Sequence, residues 1–125
     1  MGQGYLIDSN VIIDFCNGKL PNYGRKLLES VVPEISIITH IELFANKNIS
    51  QPEYALLEKF ITVAVIYPVN IDLVETIDVR KEYKLKLPDA IIAATALVYK
   101  LTLISHNLSY FKNIKGLHVI DPYKQ

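Results

Sequence analysis

The stretch Tyr5-Leu6-Ile7-Asp8-Ser9-Asn10 decides the fold of this chain. Its three apolar residues form a short buried strand, and Asp8 stands where that strand gives way to a helix start. We expect Ser9 or Asn10 to cap a short helix through Val11-Ile12-Ile13. In open sheets of parallel strands, ligands bind beyond the carboxyl ends of the strands, which is where Asp8 falls.

Strands alternate with helices over the rest of the chain. The sequence predicts further strands at residues 35–38, 63–67, 101–104 and 118–120. It predicts helices at 39–45, 51–62 and 88–100, and two more that are capped by Asn22 and Asn70. This order implies parallel strands joined by right-handed crossovers. We therefore predict an α/β fold of three layers, in which a mostly parallel sheet of four or five strands is flanked by helices.

Composition is that of an ordinary globular protein. The 125 residues suit one domain over 1–125, and 50% of them are hydrophobic. No apolar run approaches the roughly 18 residues of a membrane span, and no secretory signal is evident. The lone cysteine, Cys16, cannot form an internal disulfide, so we expect a reducing, cytoplasmic location. Thirteen basic and thirteen acidic residues argue against binding nucleic acid by bulk charge.

Three carboxylates are the candidate functional residues. Asp8 ends the first strand, Glu42 follows the apolar segment 36–41, and Asp89 opens the helix after Pro88. If the first two strands are parallel neighbours, Asp8 and Glu42 emerge at one edge of the sheet, where Asp89 joins them. Clustered carboxylates repel unless a cation lies between them, and oxygen ligands suit Mg²⁺ or Mn²⁺. Such sites are typical of phosphate-ester cleavage.

Each acid also has a purely structural explanation. Asp8 is a possible turn residue or helix cap, and Asp89 in a first helical turn is favoured by the helix dipole. Thr39 and Glu42 have the spacing of a capping box, in which Glu42 reaches back to the helix start. Thr39 capping the helix is compatible with metal binding by Glu42, so these explanations partly coexist.

The order of the motifs resembles the PIN-domain nucleases, and within them the small toxins of VapC type. Any one motif is weak, and the strength lies in five of them occurring in order. They are Leu6-Ile7-Asp8-Ser9-Asn10, Ile38-Thr39-His40-Ile41-Glu42-Leu43, Leu87-Pro88-Asp89-Ala90-Ile91, Leu103-Ile104-Ser105-His106-Asn107-Leu108-Ser109-Tyr110-Phe111 and Gly116-Leu117-His118-Val119-Ile120-Asp121-Pro122.

The resemblance implies a PIN-like fold and metal-dependent hydrolysis of RNA. Asp8, Glu42 and Asp89 would hold Mg²⁺ or Mn²⁺. Asn107 occupies a position where the family often has a fourth acid, and Tyr110 occupies another. Asn107 would therefore act in catalysis without bringing a charge. The implied role is the toxin of a toxin–antitoxin pair, with a protein antitoxin as partner and a homodimer as the assembly.

Other polar residues around these motifs are candidates for supporting roles. Ser9, Asn10 and Thr39 are candidates to orient metal-bound water or phosphate. Ser105 joins Asn107 as a candidate to position water or phosphate. The lysines nearest the motifs are expected to hold flanking phosphates of the substrate; they are Lys84, Lys86 and Lys112.

Two other classes of protein stay open on the sequence alone. The first is a catalytically weak PIN fold that binds RNA or protein, which the missing fourth acid favours. The second is another Asp-based doubly wound module, a phosphoaspartate receiver or a haloacid-dehalogenase-like phosphatase. The phosphatase needs a second Asp at the position of Asn10, which disfavours it.

Surplus apolar residues predict a dimer face or a groove for an antitoxin helix. They are Tyr54, Leu57, Phe60 and Ile61, with Leu27 and Leu28.

Overall fold

The computed structural model describes residues 3–70 and 73–124, and its centre is a parallel sheet. The strands in these ranges are β1 Tyr5–Ile7, β2 Glu34–Ser36, β3 Val65–Tyr67, β4 Thr102–Ile104 and β5 Val119–Ile120. They lie in the order β3-β2-β1-β4-β5, and each neighbouring pair is parallel. The predicted mostly parallel α/β sheet is therefore confirmed, and every strand pairing described is parallel.

Helices follow the strands along the chain. They are α1 Ser9–Cys16, α2 Asn22–Glu29, α3 Ile37–Phe44, α4 Gln51–Thr62, α5 Leu73–Tyr83, α6 Leu87–Val98 and α7 Leu108–Phe111. None of the helices within the described ranges is long and apolar enough to cross a membrane.

The sheet separates two apolar cores because neighbouring strand residues point to opposite faces. Leu6 and Leu103 pack with buried residues of α5, α6 and α7. Ile7 and Ile104 pack with buried residues of α1, α2, α3 and α4 on the other face. Full burial of a side chain of this size contributes about 1.5–3 kcal/mol, so the central strands are held from both sides.

The strand order creates a crevice next to Asp8. From β1 the chain builds the sheet in one direction through β2 and β3, and then returns to build β4 and β5 on the other side of β1. Ligand sites in such sheets lie at this reversal, beyond the carboxyl ends of the strands. Asp8 follows β1, and its backbone N–H donates to Ile104 O at 3.0 Å. The reversal therefore brings Asp8 beside the residues that follow β4.

The caps of α1 and α3 differ from the predicted ones. Asp8, and not Ser9 or Asn10, caps α1, since its carboxylate accepts from Ser9 N. Ser36 caps α3, accepting from Ile38 N at 3.2 Å, so the strand ends at Ser36 and the helix begins at Ile37.

The predicted capping box of Thr39 and Glu42 is therefore wrong as well. Both residues lie inside α3, past its Ser36 cap, and Thr39 is buried. The β-branched pair Ile37-Ile38 had indicated a longer strand, but a cap at Ser36 outweighs that local preference.

Other predicted boundaries have mixed outcomes. Residues 51–62 are helical as predicted, with a capping box between Ser50 and Glu53. Pro21, and not the predicted Asn22, is the cap residue of α2, and Asn22 is the first helical residue. The predicted cap at Asn70 depends on residues 71 and 72, which lie outside the described ranges. Helix α6 begins at Leu87, one residue earlier than predicted.

The apolar residues of α2, α4 and α5 differ in how far they are exposed. Leu28 and Leu57, predicted as part of a docking face, belong to the core, whereas Tyr54 is 40% exposed. Leu27, Phe60 and Ile61 are partly buried against that core. On α5, Val74 and Ile77 are exposed, and Val79 is buried.

Candidate active site

Asp8 lies directly after β1, at the reversal of the strand order, and is only 6% exposed. Its Oδ1 accepts from Ser9 N at 2.8 Å, and its Oδ2 accepts from Ser105 Oγ at 2.9 Å. Burial raises the pKa of Asp8, and the bonds from Ser105 and Ser9 act against this rise because they favour the charged form. Asp8 is therefore a fixed carboxylate with a donor on each oxygen.

Ser105 is the residue that joins the ends of β1 and β4. Its backbone N–H donates to Ile120 O at 3.0 Å, which holds it to β5. Its hydroxyl donates to Asp8 and accepts from Asn107 N at 3.0 Å. The loop after β4 is thus fixed against Asp8, and it leads directly into Asn107, the cap residue of α7.

Glu42 reaches the same crevice from α3. Its Oε1 accepts a hydrogen bond of 3.3 Å from Ser9 Oγ. Burial raises the pKa of Glu42, the negative charges of Asp8 and Asp89 raise it further, and the bond from Ser9 lowers it. Ser9 therefore contacts both acids, Asp8 through its backbone and Glu42 through its side chain.

Asp89 completes the group from the first turn of α6. Burial raises its pKa, and so does the charge of Asp8, whereas nearby Lys86 lowers it. The charge of Asp8 acts on both Glu42 and Asp89, and like charges disfavour ionisation mainly at short range, so we treat the three carboxylates as one acidic group. The structure thus brings together the three acids predicted from the sequence.

The donor set fits a hard divalent cation. The three carboxylates are accompanied by the hydroxyl groups of Ser9 and Ser105, and oxygen ligands are those that Mg²⁺ and Mn²⁺ prefer. A cation would also relieve the repulsion that raises the pKa values of the acids. Among the residues described, no three His, Cys, Asp or Glu side chains are already drawn close enough to hold an ion. Glu42 is the outlying member, because its carboxylate is exposed and bonded to Ser9.

A basic cleft lies beside Asp89. Its lining includes Lys84, Lys86 and Tyr110 together with Asp89. Lys84 and Lys86 were predicted to lie near the site, whereas Tyr110 was noted only as a position where a fourth acid is often found. Its exposed ring was missed because α7, a helix of four residues, was not predicted. An aromatic residue close to the last motif was the available signal.

Three other predicted residues lie outside the acidic group. Thr39 is 1% exposed and is therefore shielded from any substrate. Asn10 is exposed in the first turn of α1, and Lys112 is exposed at the end of α7. Burial excludes direct contact between Thr39 and a substrate, and a role for Thr39 in supporting the metal ligands stays a prediction.

A second polar cluster next to the crevice was not predicted. Asp121 follows β5 and is buried, and its Oδ1 lies 3.4 Å from His106 Nδ1. The His106 ring packs on Tyr123 at 4.4 Å between centroids, and Tyr123 donates its hydroxyl to Asp14. An acid directly after a strand was the signal that selected Asp8, and the same signal was present at Asp121.

An apolar groove lies between α3 and α4. Phe44 packs edge-to-face with both His40 and Tyr54, at 5.4 and 5.2 Å between ring centroids. Ile41, the neighbour of Glu42, is 58% exposed in this groove. The remaining lining residues are Ile37, Glu58, Ile61 and Thr62. Ile41 therefore carries the groove to the residue that directly precedes Glu42 in α3.

The chain is similar to known proteins over nearly its whole length. The family model for the PIN domain matches residues 5–117, and the chain therefore belongs to the PIN domain family. Among its relatives is Ribonuclease VapC1 of Rickettsia felis, which is 27% identical over 94% of this chain and 96% of that protein.

Solved structures extend the comparison. A toxin–antitoxin complex from Klebsiella pneumoniae contains a chain 33% identical to this one, with a TM-score of 0.79, covering 98% of this chain and 100% of the other. DNA-bound VapBC from Salmonella typhimurium gives a TM-score of 0.82 at 24% identity, covering 96% and 98%. The resemblance to VapC-type PIN domains therefore spans nearly the whole chain.

Proposed function

We propose that this chain is a metal-dependent endoribonuclease and the toxin of a toxin–antitoxin pair. The observation that carries the proposal is the electrostatic group of Asp8, Glu42 and Asp89 at the reversal of a parallel sheet. The family membership and the VapC-type relatives support the substrate and the biological role. The proposal treats 1–125 as one PIN-like domain acting on cytoplasmic RNA.

Asp8, Glu42 and Asp89 would hold the ion, either Mg²⁺ or Mn²⁺. When bound, such an ion lowers the pKa of a water molecule and offsets negative charge on the phosphate. Asp8 is suited to anchor the site because donors on both of its oxygens favour its charged form and fix its orientation. Glu42 is suited to adjust, because it is more exposed and bears a single bond from Ser9.

The neighbouring residues would hold these acids and the substrate. Ser105 fixes Asp8, and its bond from Asn107 N sets the start of α7 over the crevice. The Asn107 side chain would orient water or phosphate without adding charge. Lys84 and Lys86 would bind flanking phosphates from the cleft beside Asp89, and Lys112 would do so from the end of α7. Asn10, exposed beside Ser9, would contact the same strand of RNA.

The antitoxin would occupy the groove between α3 and α4. That groove is lined by apolar and aromatic side chains, which suit the apolar face of an amphipathic helix. Because Ile41 in the groove adjoins Glu42, a segment bound there lies within reach of the acidic group. Inhibition by an antitoxin then follows from occlusion of the site.

A homodimer would use the exposed face of α5. Val74 and Ile77 are one helical turn apart and are 68% and 46% exposed. Apolar side chains that share an exposed helix face mark interaction sites when they occur together. Assigning this face to the dimer leaves the groove between α3 and α4 free for the antitoxin.

The test is cleavage of total RNA with mapping of the cut sites. We expect wild type with Mn²⁺ to give discrete cuts, and EDTA to abolish them. Asp8→Asn is the matched control, since it removes the charge and keeps the shape. Equal cleavage by Asp8→Asn would remove Asp8 from the site and would indicate a contaminating nuclease.

A catalytically weak RNA- or protein-binding module is the second candidate. Asn107 and Tyr110 favour it, because neither supplies the fourth carboxylate that this family often has. The same assay separates the two proposals. RNA binding without any Mn²⁺-dependent cleavage would support the binding module.

A further inference from the structure

We propose that Tyr110, Lys84 and Lys86 form a nucleotide subsite that holds one unpaired base of single-stranded RNA beside the acidic group. The subsite rests on the proposed ribonuclease activity and defines its substrate more narrowly. The base would stack on the Tyr110 ring, and the lysines would contact the phosphates on either side of that nucleotide.

The first support is the way in which Tyr110 is presented. The neighbouring Phe111 is fully buried in the core and anchors α7, whereas Tyr110 is 57% exposed. The backbone N–H of Tyr110 donates to Asn107 O at 3.1 Å, which ties the residue to the start of α7. Tyr110 therefore offers a flat apolar ring on a fixed element that lines a cleft with Asp89. Bases stack on such rings whatever their sequence, since each has a π-face.

The second support is the charge of the cleft. Two lysines and one carboxylate line it, whereas the crevice next to it contains the three acids. A nucleotide chain that crosses the acidic group needs cationic contacts on its flanks to offset repulsion. Lys86 lines the same cleft as Asp89, so phosphates bound by Lys86 lie next to the acidic group.

The third support is the backbone of Lys84. This residue has a φ of 55°, the left-handed conformation that glycine usually supplies after a helix. The turn is held by Arg80, whose Nε donates to Leu85 O at 3.3 Å. A lysine in this conformation costs stability, and such costs are found where a side chain serves function. Lys100 has the same conformation at the end of α6, and it provides a matched control.

An unpaired base is required by the geometry of stacking. The face of a base in a duplex is already covered by its neighbours, so a protein ring reaches it only after the base is unstacked. The subsite therefore predicts preference for single strands, loops or ends.

The experiment measures binding of a labelled 12-nucleotide RNA of mixed sequence in EDTA, as a single strand and as a duplex. Loss of stacking at one base should weaken binding of the single strand by Tyr110→Leu about 5- to 100-fold. Tyr110→Phe should bind within about 2-fold of wild type because the ring is kept. On the duplex, Tyr110→Leu and wild type should bind alike.

Two further variants report on the mechanism. The chain contains no Trp, so Tyr110→Trp places a single indole in the cleft, and single-stranded RNA should quench its fluorescence. Lys86→Gln should reduce the slope of log affinity against log salt by about 0.7, the value of one phosphate contact on a single strand. Lys59→Gln, an exposed lysine on α4, should leave the slope unchanged.

The outcomes separate this inference from the ribonuclease proposal. If wild type cleaves total RNA with Mn²⁺ and Tyr110→Leu binds the single strand as well as wild type does, the subsite is wrong and the enzyme stands. An equal loss on single strand and duplex also overturns the subsite. Wild type that neither binds nor cleaves RNA overturns both.

Discussion

Ser105 donates a hydrogen bond of 2.9 Å to Asp8, although 97 positions separate the two residues in the chain. The bond exists because β1 and β4 are neighbours, with Ile7 opposite Ile104 in their register. Ser105 is fully buried, so its hydroxyl is committed to Asp8 and to the Asn107 N–H. One side chain therefore fixes the first acid and the loop that carries the last motif.

Ser105→Ala is expected to weaken both the fold and the site. Loss of the two bonds should lower the free energy of unfolding by about 1–3 kcal/mol and raise the pKa of Asp8, since this bond holds it down. Urea unfolding measures the first effect, and an NMR pH titration of the Asp8 carboxyl carbon measures the second. Ser109→Ala, at an exposed position of α7, should change stability by less than about 0.5 kcal/mol. Equal urea midpoints for Ser105→Ala and wild type would show that the bond contributes nothing.

Asp89→Asn should change the pH dependence of stability in the metal-free protein. Burial and the charge of Asp8 hold the pKa of Asp89 above its usual value in the folded state. Such a carboxyl group favours folding fully below its unfolded pKa of about 4, and this contribution is lost as the pH rises through the folded value. Wild type should therefore lose stability relative to Asp89→Asn as the pH rises above about 4.

Thermal melting in EDTA between pH 4 and 7.5 measures this difference. We expect Asp89→Asn to melt higher than wild type near pH 7 and the two curves to converge toward pH 4. Asp78→Asn, an exposed substitution on α5, should follow wild type throughout. Parallel curves for Asp89→Asn and wild type would contradict the proposed repulsion.

Asn107→Asp should strengthen metal binding. The residue follows Ser105 closely in a loop fixed to Asp8, so a carboxylate there adds a negative charge near the three acids. A new ligand contributes on the order of 1–3 kcal/mol, or about 10- to 100-fold in affinity for Mn²⁺. Calorimetry on folded protein measures the change, and cleavage at limiting Mn²⁺ should rise with it. An unchanged affinity would place Asn107 outside the ligand set.

Val74→Asp should convert the proposed homodimer to a monomer. A charge on the exposed face of α5 is solvated in the monomer and is buried at high cost in the dimer. Light scattering at micromolar concentration measures the assembly. Ile41→Asp, which places the same charge in the groove between α3 and α4, should remain dimeric. A monomeric Ile41→Asp with a dimeric Val74→Asp would exchange the roles of the two faces.

Lys84→Gly and Lys100→Gly should both stabilise the protein. Each removes a side chain from a left-handed conformation that costs about 1–2 kcal/mol, and the greater freedom of glycine in the unfolded chain offsets part of the gain. Denaturation midpoints should rise in both variants. Only Lys84→Gly should weaken binding of single-stranded RNA, because only Lys84 lines the cleft with Tyr110. Equal RNA affinities in the two variants would separate Lys84 from the subsite.

Local patterns in the sequence were sufficient for much of the fold. Residues 51–62 have a capping box before them and apolar residues at helical spacing, and α4 has the predicted bounds. Ile37 and Ile38 illustrate the limit, because β-branched residues favour a strand until the preceding serine caps a helix. Helix α7 has four residues, too few for a period to appear in the sequence.

For the candidate site too, some residues were predictable from local sequence and others were not. Asp8, Glu42 and Asp89 were predicted because each begins or follows a regular element within a motif. The partners of Asp8 were less accessible, since the bond from Ser105 depends on which strands are neighbours. The cleft that Tyr110 shares with Lys84 depends on the packing of three separate elements, which no local pattern encodes.

The pairing of the first strand with the fourth also determines when the active site is completed during synthesis. A ribosome adds about 5–20 residues each second, and the groove residues 37–62 emerge well before Ser105. Asp8 is synthesised early, whereas β4, the strand that completes its surroundings, is synthesised much later. In the proposed toxin, the groove between α3 and α4 is therefore synthesised before the active site is complete. An antitoxin that binds this groove on the nascent chain acts before the active site is able to cleave RNA, including the RNA of the translating ribosome.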